Sequence, residues 1–154
     1  MTAVLIERDD PFAPDVLLLL DEHLADMRAT SPPESVHALE PGALVGPEMT
    51  FLTAREGGVL LGCGALKDLG GGEGEVKSMR TAAAARGKGV ASALLGRIID
   101  EARRRGFSAL RLETGIEDYF APARAMYAKF GFEPCGPFAN YTDDPNSVYL
   151  VLDL

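Results

Sequence analysis

The chain has 154 residues, 47% of them hydrophobic, which suits one domain whose core needs no disulfide or metal staple. Its net charge of −8 argues against nucleic-acid binding as the main role. Two cysteines without a C-x-x-C pattern and two scattered histidines offer no metal site, so a reduced, cytoplasmic setting is the expectation.

The N-terminus, Met1 to Asp10, lacks the basic start and apolar run of a signal peptide. Val4-Leu5-Ile6 reads as a short strand. A helix follows to Met27, with Asp15 as its cap and an apolar face of Val16, Leu19, Leu20, His23, Leu24 and Met27. The longest apolar block, Val16 to Leu20, is far short of the roughly 20 residues of a membrane span. Ser31-Pro32-Pro33-Glu34 has the order of a capping box before a short helix through Leu39. Met49 to Arg55 and Val59 to Leu66 read as a hairpin across Gly57-Gly58. Gly70-Gly71-Gly72 and Gly74 read as a flexible link into a third antiparallel strand, Glu75 to Thr81. Val90 to Ala102 is an amphipathic helix with Arg97, Asp100, Glu101 and Arg104 opposite its apolar stripe, and Gly106 stops it. Ala109 to Thr114 is a strand, Ala121 to Phe130 a helix ended by Gly131, and Ser147 to Leu152 a closing strand. This order implies a mixed sheet with helices on its faces, in one domain over 1–154.

Between the third strand and the amphipathic helix lies Arg86-Gly87-Lys88-Gly89-Val90-Ala91. A helix start has backbone N–H groups without intrahelical partners and a partial positive charge, so it suits phosphate oxygens. Gly87 and Gly89 permit close main-chain approach, and Arg86 and Lys88 add charge. A Walker A loop is excluded by spacing, which disfavours a phosphonucleotide enzyme, and a dinucleotide fingerprint fails at Ser92.

The R-x-x-G-x-A pattern that remains resembles the acyl-CoA pyrophosphate loop of the GNAT (Gcn5-related) N-acetyltransferases. The strand Glu75–Thr81, the strand Leu110–Thr114 and the helix ending Tyr127-Ala128-Lys129-Phe130-Gly131-Phe132 follow the same family plan in order, over about residues 75–135. Segments 31–35, 112–115 and 144–147 resemble a bacterial subgroup whose acceptor is unassigned. The resemblance implies a mixed α/β GNAT fold: a mostly antiparallel sheet of about six to seven strands, a splayed parallel pair and about four helices.

Further implications concern the site. Acetyl-CoA is the donor, without a metal. Its pantetheine lies along the main chain near Met79, Arg80 and Thr81, and its pyrophosphate on residues 87–91 beside Arg86 and Lys88. Tyr127 protonates the leaving thiolate, and Glu75 matches the catalytic glutamate of the histone-acetylating branch. Glu113 or a water chain are alternative bases. By alternation Glu75, Lys77 and Met79 share a face, unless a bulge changes that parity. Candidate acceptor contacts are Glu34, His37, Glu113, Asp118, Tyr119 and Tyr141. A carboxylate cluster would favour an amine; Arg80 or Arg111 nearby would favour an amine that also carries an acid. The expected partner is a small-molecule or peptide amine, with a homodimer possible. The alternative is a non-catalytic acyl-CoA sensor.

Overall fold

A computed structural model describes residues 3–35 and 40–154. One seven-stranded sheet runs in the order β1 (Val4–Arg8), β2 (Met49–Glu56), β3 (Val59–Gly70), β4 (Glu73–Thr81), β5 (Ala109–Gly115), β7 (Ser147–Asp153) and β6 (Glu133–Cys135). Every pair is antiparallel except β4–β5. The described residues form three α-helices, α1 (Pro14–Thr30), α2 (Val90–Arg104) and α3 (Ala121–Lys129), and the short helix expected through Leu39 runs into residues outside the described ones.

Two apolar clusters show how the sheet is covered. Leu94, Leu95, Ile98 and Ala102 of α2 pack with Leu52, Ala54, Leu66, Val76, Leu110 and Leu112. Val16, Leu19 and Leu20 of α1 pack with Met49, Phe51, Cys63 and Ala65. Residues 51 and 52, or 65 and 66, point to opposite faces of a strand, so α1 and α2 sit on opposite sides of the sheet. Cys63 is wholly buried and its thiol is pushed up to about 12 by burial; both cysteines are free.

Several local readings change. Gly57 and Gly58 have φ of 58° and 82°, the expected primed turn. Gly70-Gly71-Gly72, also at positive φ, make a tight turn and not a loose link, and Gly70 already pairs with Glu73. Gly74 lies inside β4, where a Cβ would stand 2.8 Å from Leu66 and 3.0 Å from the Phe107 ring. Ser31 ends α1 by donating its N–H to the Met27 carbonyl, in place of capping the next helix; only a short turn, Pro33–Ser35, follows in the described residues. Pro14 opens α1, and the Asp15 carboxylate is taken by Arg55 at 2.6 Å. Glu101 is buried, not on the solvated face, and collects Arg97, Arg104 and Arg105. β6 was not expected. Pro134 at its centre lacks an N–H, and its edge position makes that tolerable.

Candidate active site

β4 and β5 pair only through Glu73–Glu75 and Ala109–Arg111. Beyond them the two strands part, so β4 from Val76 to Thr81 has no strand on its β5 side. A bulge adds to the opening. Cys63 pairs with Arg80 and Ala65 with Lys77, which leaves Ser78 and Met79 together opposite Gly64, with Ser78 at φ 55°. The expected shared face of Glu75, Lys77 and Met79 is therefore broken. Met79 turns to the α2 side, where its sulfur lies 2.5 Å from where a Gly64 Cβ would be. Arg80 joins the face of Glu75 and Lys77, and bonds Asp26 of α1 at 2.7 Å.

Two cavities occupy the split. The larger, about 500 Å³, runs from Arg80 and Thr81 past Arg86, Gly87, Gly89 and Ser92 to Tyr127. Gly87 and Gly89 have φ of 77° and 79°, and a Cβ at either would meet nothing within 4 Å. The α2 N-terminus has no side-chain cap and no acidic residue in its first turn. Its donors are therefore open to an anion.

The smaller cavity, about 110 Å³, is lined by Glu75, Lys77, Glu113, Tyr127, Tyr141 and His23, among others. Glu75 is 2% exposed. Its Oε2 accepts from Lys77 Nζ at 3.0 Å and from the Tyr141 hydroxyl at 2.6 Å, while Lys77 also donates to that hydroxyl at 2.8 Å. Burial first, and then the Glu75 charge, raise the Tyr141 phenol far above its ordinary value. Glu113 Oε2 accepts from the Ser147 hydroxyl at 2.6 Å. Ser35 donates to Asp144 at 2.6 Å, tying the segment after α1 to the loop that carries Tyr141. Tyr127 borders both cavities, buried and edge-on to Phe132. Burial, then the Glu113 charge, raise its phenol strongly, so it stays protonated at neutral pH.

His23 also borders both cavities, and its Nδ1 is enclosed without a hydrogen-bond partner among the described residues. Burial and the nearby Arg80 lower its pKa from 6.5 to about 4. The unfolded chain thus binds the extra proton first. Stability from a neutral His23 is complete above pH 6.5 and is lost as the pH falls toward 4. The loss between pH 7 and pH 5 is expected to be about 1–2 kcal/mol. Urea unfolding of the native chain and of His23→Gln at both pH values measures it, since the variant should lack that part of the pH dependence.

The structure brings Glu75, Glu113, Tyr127 and Tyr141 to one cavity, and Arg80, Thr81, Arg86, Gly87, Gly89, Val90 and Ala91 to the other. Met79 borders both. Tyr119 lies on the larger cavity, where its hydroxyl accepts from Arg80 at 2.8 Å, and not on the smaller one. Glu34 and Asp118 are exposed and border neither, and Lys88 is exposed beside the loop without lining the larger cavity. His37 lies outside the described residues. Arg111 is held by Glu73 at 2.8 Å, where β4 and β5 are still paired. Lys77 and His23 were missed as site residues. Alternation from Glu75 put Lys77 on the right face, whereas His23 read as part of an apolar stripe.

Residues 16–132 match the acetyltransferase (GNAT) family. The chain is 52% identical to the uncharacterized N-acetyltransferase YsnE of Bacillus subtilis over 97% of its own length and 99% of that protein. It is 44% identical to the IAA acetyltransferase of Azospirillum brasilense, over 97% of each chain. Among solved structures, a candidate acyl-CoA N-acyltransferase from Klebsiella pneumoniae aligns with a TM-score of 0.80 at 28% identity, over 98% of this chain and 97% of that one. The parted parallel strands, the glycine loop at the α2 N-terminus and these matches agree: the chain is an acyl-transferring enzyme of the GNAT acetyltransferase family.

Proposed function

We propose that the chain moves the acetyl group of acetyl-CoA onto a primary amine. The observation that carries this reading is that the two cavities meet at Tyr127, one beside the open glycine loop and the other over Glu75. The loop fits a diphosphate: two glycines with open space over them, an uncapped helix start, and Arg86 alongside. The unpartnered edge of β4 offers main-chain groups to a strand-like pantetheine. When bound, acetyl-CoA supplies the activated thioester.

The chain's own residues then divide the proton work. Lys77 and Tyr141 fix Glu75 through Oε2, which leaves Oε1 to take a proton from the incoming ammonium. The freed lone pair forms the C–N bond. Tyr127 gives its phenolic proton to the sulfur as the C–S bond breaks, and the second proton of the acylated nitrogen restores the phenol, leaving the amide, the free thiol and a protonated Glu75. The acceptor cavity is small and partly open, and at its base the buried Glu75 carboxylate acts at reduced dielectric.

Thermal unfolding tests the donor half. Acetyl-CoA at 100 times its Kd should stabilise by about 2.7 kcal/mol, a rise in Tm of roughly 5–10 °C for a chain of this size. Gly89→Asp should abolish the rise, because it sets a carboxylate at the helix start and a Cβ at a φ of 79°. No shift with the native chain, or an undiminished one in the variant, would overturn the donor site.

A further inference from the structure

Among the described residues, His23, Met79, Phe120, Ala123 and Tyr127 border both cavities and so mark the passage between them. Of these, only His23 and Tyr127 carry a side-chain nitrogen or oxygen. The two come from opposite sides of the sheet. Tyr127 packs with the α2 cluster, whereas His23 belongs to α1, which covers the other face. His23 follows Leu19 and Leu20 by four and three residues, so helix periodicity holds its ring on the inward stripe beside the parted strands. It has no part in the proton transfers proposed above. Its Nδ1 is enclosed without a hydrogen-bond partner among the described residues, so Nε2 is the ring nitrogen left to face the cavities. Burial and the Arg80 charge keep the ring neutral at pH 7, so it carries one N–H hydrogen. On the enclosed Nδ1 that hydrogen would be an orphaned donor; on Nε2 it points where a ligand can accept it.

Resting on the acetyl-transfer reading above, we infer that His23 is a further catalytic side chain, whose Nε2–H donates to the carbonyl oxygen of the thioester at the passage between the cavities. Sulfur and oxygen diverge from one carbonyl carbon, so Tyr127 on one side of the split serves the sulfur and His23 on the other serves the oxygen. A donor at Nε2 excludes the incoming ammonium as the partner of the ring, because an ammonium has no lone pair. As the amine attacks, negative charge grows on the carbonyl oxygen. A neutral donor fixed on α1 stabilises that charge and keeps its own hydrogen throughout, so His23 neither gains nor loses a proton. An enclosed ring nitrogen without a partner is a feature that native folds retain for a reason, and a site at the reacting carbonyl supplies one.

The experiment compares His23→Leu, His23→Gln and His23→Asn with the native chain. Glutamine carries a donor to about the position of Nε2, asparagine only to that of Nδ1, and leucine carries none. In acceptor-dependent CoA release with a panel of primary amines, kcat should fall about 10²-fold for Leu and Asn and stay within about tenfold for Gln, with KM for acetyl-CoA changing less than kcat. An imidazole that only fills space would not produce that order. Binding gives a second readout. S-ethyl-CoA replaces the carbonyl with CH2 and otherwise matches acetyl-CoA. Calorimetric Kd values should favour acetyl-CoA at least about threefold in the native chain, and that preference should vanish in His23→Leu. Should the leucine chain fail to fold, the order of Gln over Asn still decides. Asn equal to Gln, a folded Leu chain within about threefold of native kcat, or an undiminished preference for acetyl-CoA in that chain overturns the inference while acetyl transfer stands. An equal loss of affinity for both ligands, with kcat unchanged, would put the ring on a pantetheine amide and also overturn it. No release with any amine removes the transfer reading and this one with it, and the acetyl-CoA thermal shift then tells whether the donor site survives.

Discussion

Glu75→Gln is expected to lower kcat about 10²–10³-fold, with the acetyl-CoA thermal shift unchanged. The carboxylate is buried where β4 borders the smaller cavity, and both of its hydrogen bonds among the described residues fall on one oxygen. Glutamine keeps the shape and removes the basic oxygen. Lys77 then loses the carboxylate it pairs with, which destabilises a buried ammonium, so the melting temperature of the variant must be measured beside its rate. Lys77→Met combined with Glu75→Gln removes both charges and separates loss of the base from loss of the pair. A fall in kcat below about threefold in a folded variant would transfer the base role to Glu113 or to water.

The strand carrying Glu75 shows where sequence reasoning holds and where it stops. Its existence, and its place before the glycine loop, follow from residues that can do little else. Gly87 and Gly89 take positive φ at an uncapped helix start, and α2 buries the stripe that its periodicity marks. The bulge at Ser78 is different. It is carried by a non-glycine residue at φ 55°, and nothing in the local composition signals it. Yet it decides the site, because it turns Met79 toward α2 and brings Arg80 onto the face of Glu75. Long-range pairs were likewise illegible: Tyr141 stands 66 residues from Glu75, and Ser35 stands 109 from Asp144. Tyr141 entered the sequence reading only as a general acceptor contact, while its structural position makes it a fixed partner of Glu75. His23 illustrates the opposite error. Helical spacing put it correctly on the inward face of α1, but an imidazole there carries polar atoms that an apolar stripe does not account for.

Tyr127→Phe is the sharpest test of how the two cavities work together. The substitution removes one oxygen and keeps a ring that packs edge-on to Phe132 at 5.7 Å, so the fold should persist. Burial and the Glu113 charge keep the native phenol protonated, and the role proposed for it is as a donor to negative charge developing on sulfur. Turnover should fall about 10²-fold, with acetyl-CoA affinity nearly intact, because the loop and the β4 edge proposed to hold the donor are untouched. Replacing the oxygen ester of an activated acetyl donor for the thioester gives a further readout. The penalty for Tyr127→Phe should shift with the basicity of the leaving group, whereas a residue that only fills space would show the same loss for both donors. Equal losses, or a loss confined to KM for acetyl-CoA, would make Tyr127 part of the cavity wall and leave sulfur to be protonated by solvent.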